Sequence, residues 1–216
     1  MRAPPSLRGG IGTRSSGLVF GLFLCAAGIV ALLESELGLS PWDVLHQGLA
    51  RHTPLTYGTA NIAVGVIVLG VSALLGARIG PGTVANAVLI GVFIELLVHM
   101  EAVEELSEQS VVLRALLLVA GIWLVAVGSA FYLGAAMGAG PRDSLMLVLA
   151  LRSRRRIGLV RTLLEASVVV AGALLGGTVG LGTVAFAVLI GPALEASLWA
   201  LARTPLACPA VASAPA

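Results

Sequence analysis

Long apolar runs separated by short polar breaks dominate the chain. They extend over Leu18 to Leu37, Thr56 to Leu75, Val84 to Met100, Val111 to Ala130 with a continuation toward Met137, Ile157 to Leu175, and Val184 to Ala202. Each approaches the roughly 20 apolar residues that a helix needs to cross a bilayer. None alternates apolar and polar residues with the period of two that a membrane β-barrel requires. The pattern predicts an all-α membrane protein with about six transmembrane helices.

The breaks carry as much information as the runs. After the first run come Gly38-Leu39-Ser40-Pro41-Trp42-Asp43. Gly38 and Pro41 stop one helix. Ser40 suits an N-cap, Pro41 a first helical position, and Asp43 the first turn of a new helix. That helix, from Pro41 to about His52, carries Trp42, Leu45 and Leu49 on one face. It is too short to span, so it is interfacial or re-entrant. Gly138, Gly140, Pro141 and Asp143 begin a second short helix of the same kind, which leaves through Arg152, Arg154, Arg155 and Arg156.

The two short helices belong to a longer repetition. Gly38 to Glu95 recurs at an offset of one hundred residues without a gap, with about 23 of roughly 58 positions identical. Gly82-Thr83-Val84-Ala85-Asn86-Ala87-Val88-Leu89-Ile90-Gly91 returns as Gly182-Thr183-Val184-Ala185-Phe186-Ala187-Val188-Leu189-Ile190-Gly191. Three spans per unit place the second copy upside down, an inverted repeat of three plus three helices, each half with a short broken helix. The expected layout is a flexible basic leader over 1–16, a first repeat over 17–100, an acidic linker over 101–110, a second repeat over 111–203 and a disordered tail over 204–216.

Composition agrees with lipid exposure. Charged residues make up 11% of the chain, hydrophobic residues 58%, and the mean hydropathy is +1.02, against about a quarter charged in soluble domains. The net charge of +2 gives no reason to expect a nucleic-acid partner. With the N-terminus inside, Arg2, Arg8, Arg14, Arg78, Arg142, Arg152, Arg154, Arg155, Arg156, Arg161 and Arg203 fall at or near the cytoplasmic side. Arg51 and Arg114 fall outside, with Glu101, Glu104, Glu105 and Glu108. The bias predicts a multi-pass protein of the bacterial plasma (inner) membrane with both termini cytoplasmic.

Several residues are candidates for a substrate or ion pathway. Asp43 and Asp143 are repeat-related carboxylates that either face a polar cavity or stabilise their own helix N-termini through the dipole. Glu95 and Glu195 lie deep in the third and sixth runs, where a charge must face protein or water unless it reaches the headgroups. Arg161 and Glu165 share one helix face at a spacing of four; the first half has Asn61 and Gly65 there. Asn86 faces Phe186 in the alignment of the copies and offers an interhelical hydrogen bond. Gly82, Ala87 and Gly91, with Gly182, Ala187 and Gly191, form small-residue faces suited to helix packing. The basic cluster Arg152, Arg154, Arg155 and Arg156 suits anionic lipid. His46, His52 and His99 have no ligand spacing, and Cys25 and Cys208 form no paired-cysteine motif, so neither a metal nor another cofactor is expected. Nothing in the motifs points to an enzyme.

Gly38-Leu39-Ser40-Pro41-Trp42-Asp43, its counterpart from Gly138, Leu159-Val160-Arg161-Thr162-Leu163-Leu164-Glu165 and the two Gly-Thr stretches resemble the YczE branch of the YczE/YyaS/YitT family of bacterial integral membrane proteins. The resemblance covers about Leu18 to about Leu201 and implies a multi-spanning plasma-membrane protein without an assigned substrate. Inverted repeats with broken helices favour a small secondary transporter or permease acting on a small molecule or ion. The alternative is a non-transporting membrane scaffold or regulatory protein, for which the arginine cluster would be the contact surface. Substrate, coupling ion and oligomeric state have no signature in the sequence.

Overall fold

The computed structural model describes residues 4–55, 57–77, 79–98 and 110–208. The side chains of Tyr57, Gly58, Glu95 and Val98 are outside that description, as are Arg78, His99 and residues 101–109 of the expected acidic linker. The elements are α1 (Ile11–Glu34), α2 (Pro41–His52), α3 (Tyr57–Leu74), α4 (Pro81–Val98), α5 (Val111–Gly134), α6 (Pro141–Ser153), α7 (Ile157–Leu174) and α8 (Leu181–Leu201). A two-residue antiparallel ladder pairs β1 (Ser6–Leu7) with β2 (Ala207–Cys208). Helices of the second half begin one hundred residues after those of the first, at 11 and 111, 41 and 141, 57 and 157, 81 and 181.

Among the described residues, four helices, α1, α5, α7 and α8, are long and apolar enough to cross a membrane. Their outward residues are apolar: Val112, Leu116, Val119 and Trp123 on α5 and Val188 and Leu189 on α8 are exposed. A soluble protein rarely leaves so continuous an apolar surface in water, and here lipid covers it. The short helices start as their sequence dictates. Each has Pro at its first position and Asp in its first turn, where the fixed φ and the negative charge suit a helix N-terminus.

α1 and α5 form the centre and run antiparallel. Gly21 of α1 lies against Gly128 and Tyr132 of α5, and Gly28 against Gly121 and Val125; a Cβ on Gly21 would stand 2.6 Å from the Gly128 oxygen. Their ends are locked reciprocally. Arg14 donates to the Ala135 and Ala136 carbonyls, both at 2.7 Å. Arg114 donates to Ser35 at 2.8 Å and Glu36 at 2.9 Å. Each guanidinium thereby satisfies carbonyls that the end of the other helix leaves free, which lipid demands.

The leader departs from expectation. α1 begins at Ile11, so Arg14 is helical rather than part of a flexible segment. Leu7 and Ala207 are buried in the main core, and Arg8 N–H donates to the Leu206 carbonyl at 2.7 Å, which ties the leader to the start of the tail. The apolar period runs too short upstream of Gly17 to reveal this from sequence. Residues 1–3 and 209–216 lie outside the described residues.

The halves then interlock. α2 packs on α7 and α6 on α3, whereas α4 packs on α1 and α8 on α5. The Gly-Thr stretches make the joints. Thr83 Oγ1 donates to the Ala139 carbonyl (2.8 Å) and Gly82 N–H to Met137 (2.7 Å). Thr183 Oγ1 donates to Leu39 (2.6 Å) and Gly182 N–H to Leu37 (2.7 Å). Gly38 (φ +140) and Gly138 (φ +112) take left-handed conformations against these joints, where a Cβ would meet Thr183 and Gly180, or Gly80 and Thr83, within 3 Å.

The small-residue faces do not behave alike. Ala187 and Gly191 are buried, Gly191 against the Gly158 carbonyl and the Thr162 hydroxyl. Ala87 is exposed and nothing lies near a Cβ on Gly91. Among the described residues, the part of the expected packing face from Ala87 to Gly91 is therefore uncovered while Gly82 is packed at its joint, and α3 packs against α2 and α6. Substituting Gly21 or Gly128 by Val is expected to destabilise the protein by about 1–3 kcal/mol or more through overpacking. Gly91→Ala is expected to hold or raise stability by up to about 1 kcal/mol through helix propensity. Thermal unfolding in detergent checks both; equal losses in the two kinds of variant would refute the central contact.

Candidate functional site

The N-termini of the two short helices meet. Trp42, second residue of α2, lies under the Arg142 guanidinium, second residue of α6, with 4.9 Å from Cζ to the ring centroid. Around this contact gather Asp43, Asp143, Arg161 and Glu165, all singled out by sequence, with Tyr132, Arg142 and Trp42, which were not. The signal for the last two was the variable position between Pro and Asp in the repeated motif. Tyr132 aligns with Leu32 and gave none.

Asp143 and Asp43 occupy equivalent helical positions and bond differently. Asp143 is buried and accepts hydrogen bonds from the Tyr132 hydroxyl and Arg161 Nη1. Arg161 Nε stands 2.8 Å from Glu165 Oε1, so one guanidinium bridges two carboxylates. Asp43 instead accepts from its N-cap residue, Ser40 Oγ, at 2.7 Å, with His46 Nδ1 at 3.5 Å. The sequence explains the divergence. Ser40 and His46 align with Gly140 and Met146, which cannot hold a carboxylate; Tyr132 and Arg161 align with Leu32 and Asn61, which cannot pair with one.

Arg142 is held more loosely than Arg161. Its Nη2 reaches the Asn61 amide oxygen at 3.5 Å, and Asp43 and Glu165 act on it electrostatically. It is half-buried where Arg161 is 8% exposed. Glu165, 1% exposed, interacts with the Trp42 indole, yet neither Glu165 Oε2 nor Trp42 Nε1 has a hydrogen bond of good geometry.

The remaining candidates lie around or away from this cluster. Asn61 and Asn86 border it: the Asn86 amide packs on Gly140, at the N-cap of α6, where a Cβ would meet it at 2.4–3.1 Å. Gly140 thus admits a polar side chain from α4, whereas the aligned Phe186 is buried in a second apolar cluster. Glu195 lies outside the cluster, beside Gly158 and 3.9 Å from Arg156 at the start of α7. Glu95 falls among the undescribed side chains. Arg152 in the last turn of α6 and Arg154, Arg155 and Arg156 between α6 and α7 are exposed, and Arg154 (φ +54) ends α6.

Such a network sits where charges are costly, and its members depend on one another. Arg161→Gln leaves two buried carboxylates facing each other without the cation that bridges them and is expected to cost about 3–5 kcal/mol. Arg156→Gln, at an exposed pair, is expected to leave the unfolding midpoint in detergent nearly unchanged. Comparable losses at both positions would contradict the pairing described.

The chain matches a family of unknown function, DUF6198, over residues 12–197. It is 37% identical over 188 residues to a Haemophilus influenzae protein described as uncharacterized, covering 87% of this chain and 84% of that one. It is 35% identical over 181 residues to the Bacillus subtilis uncharacterized membrane protein YczE, covering 82% of each. It is 30% identical over 165 residues to the Bacillus subtilis uncharacterized protein YyaS, covering 76% of this chain and 81% of that one. No solved structure matches the chain. With its long apolar helices and its close likeness to a membrane protein over most of both chains, the protein is a helical membrane protein and belongs to the YczE/YyaS family.

Proposed function

We propose that the protein is a small secondary transporter or permease of the bacterial plasma membrane, with six spanning helices arranged as an inverted repeat of three plus three. The observation that carries this reading is the buried charge network at the junction of two half-length helices, α2 of 12 residues and α6 of 13. At about 1.5 Å per residue such helices reach little more than halfway across an apolar core of about 30 Å. Broken helices whose ends meet within the membrane are how inverted-repeat transporters build a polar site away from both aqueous faces. The antiparallel α1 and α5, the constant offset of the helix starts and the reciprocal joints at Thr83 and Thr183 support the inversion. The arginine bias supports cytoplasmic termini. In this orientation the exposed arginines from Arg152 to Arg156 lie on the cytoplasmic side and would attract anionic lipid.

Position 142 offers a test, because it is half-buried beside exposed Asn61. With Cys25 and Cys208 replaced by Ser, Arg142→Cys is expected to react with a membrane-impermeant thiol reagent both in intact cells and in inverted vesicles. Reaction from one face alone would place the cluster on a single surface, and the scaffold reading would replace transport.

A further inference from the structure

The two halves pack alike with one large exception. α2 packs on α7 as α6 does on α3, α1 on α4 as α5 does on α8, and α2 on α3 as α6 does on α7. α7 also packs closely on α8, yet among the described residues α3 makes no comparable contact with α4. The difference shows on the surface. Gly191 is buried against α7, and Thr162 of α7 donates to the Val188 carbonyl at 3.5 Å. The aligned Gly91 and Val88 are exposed, nothing lies near a Cβ on Gly91, and Ile62, aligned with Thr162, is 66% exposed.

The sequence nevertheless equips α3 and α4 for the contact they lack. Gly58 and Gly91 stand where α7 and α8 have Gly158 and Gly191, the pair that lets those two backbones meet. A glycine inside a helix weakens it, and the arrangement seen here makes no use of Gly91. An arrangement in which α3 covers α4 does.

α3 is also the less anchored of the two equivalent helices. The far end of α7 is tied to α2: Arg51 Nη1 donates to the Gly176 carbonyl, and the Thr178 N–H donates to Gln47 Oε1 at 2.6 Å. Gly48 of α2 meets Gly172 of α7 between these ties and the cluster. The aligned residues on α6 and α3 are Leu151, Leu147, Val148 and Ser72, which offer neither those hydrogen bonds nor that close approach. Nearer the cluster, Arg161 holds α7 to α6 by an ion pair with Asp143, whereas Asn61 holds α3 to α6 by a 3.5 Å contact with Arg142.

Building on the transport reading, we propose that α3 is a moving gate: it alternates between the position seen here and one in which it lies on α4 across Ala87 and Gly91, as α7 lies on α8. α7, tied at both ends, stays in place. In the second position Asn61 is enclosed as its counterpart Arg161 is, and the half-buried Arg142 edge of the cluster closes with it. The movement is the rocking of one helix against a fixed neighbour, of the kind inverted repeats use to expose and enclose a site.

Cross-linking in the full-length protein, with Cys25 and Cys208 replaced by Ser, reads the second position. Thr162 reaches Val188 across the closed α7–α8 contact. The aligned pair Ile62→Cys/Val88→Cys is therefore treated in native membranes with a short bifunctional thiol reagent, beside Thr162→Cys/Val188→Cys. Both pairs are expected to cross-link within one chain, the pair at 62 and 88 more slowly. Gly91→Leu has free space in the arrangement seen here and would strike α3 in the other. It is expected to leave the unfolding midpoint in detergent nearly unchanged and to slow cross-linking at 62 and 88 about tenfold, without slowing it at 162 and 188. Three results would overturn the proposal: no cross-link at 62 and 88 where 162 and 188 join, a cross-link at 62 and 88 that joins two copies, or one that Gly91→Leu does not slow. Cross-linking within one chain together with one-sided access at position 142 would remove the transport reading and keep the moving helix. Two-sided access at position 142 without the cross-link at 62 and 88 would do the reverse.

Discussion

The close approach of α1 and α5 is the constraint from which the rest of the structure follows. Lipid provides no hydrophobic drive for two apolar helices to associate, so close packing and hydrogen bonding must do it. Glycines at 21, 28, 121 and 128 let the two backbones come near enough for that, and Arg14 and Arg114 finish the opposite ends. Once these helices are set, the turns after them are set too, and residues 37–39 and 137–139 become docking points for α8 and α4. The N-termini of α2 and α6 are then brought together because each follows its turn directly.

The same geometry explains why the copies diverged where they did. Two equivalent aspartates arrive at one junction and take different partners. Arg161 takes Asp143 and Glu165, while Asp43 is held by Ser40 and His46 on its own helix. Asymmetry extends to packing. Gly48 on α2 faces Gly172 on α7, a close contact that Val148 and Ser72 at the aligned positions do not provide. α7 consequently sits tight against its neighbours and buries its charges. α3, with Asn61 and Gly65 in place of Arg161 and Glu165, carries no buried ion pair to enclose and stands away from α4.

The helix boundaries were largely legible in the sequence. Pro41, Pro141, Gly38 and Gly138 act through local backbone geometry, which needs no tertiary partner, and the short helices begin where those residues place them. Four of the expected spans, α1, α5, α7 and α8, were legible for the same kind of reason, since apolar length is a property of each segment alone. The repeat predicted equivalent helices, and their starts are equally spaced. It also suggested equivalent faces, which failed at Ala87 and Gly91, because whether a face is covered depends on where another helix lies.

What the sequence determined by itself was therefore the helical, lipid-facing character of the protein, its breaks and the residue types available for a polar site. Only the tertiary structure decided that Asp143, Arg161, Glu165 and Tyr132 share one cluster with Trp42 and Arg142 from the facing turn, while Glu195 and Asn86 fall outside or on its rim. The physical reason is distance along the chain. Helix starts and apolar runs are governed by neighbours a few residues away, whereas Trp42 meets Arg142 from a helix one hundred residues further along the chain, brought there by the glycine contacts between α1 and α5.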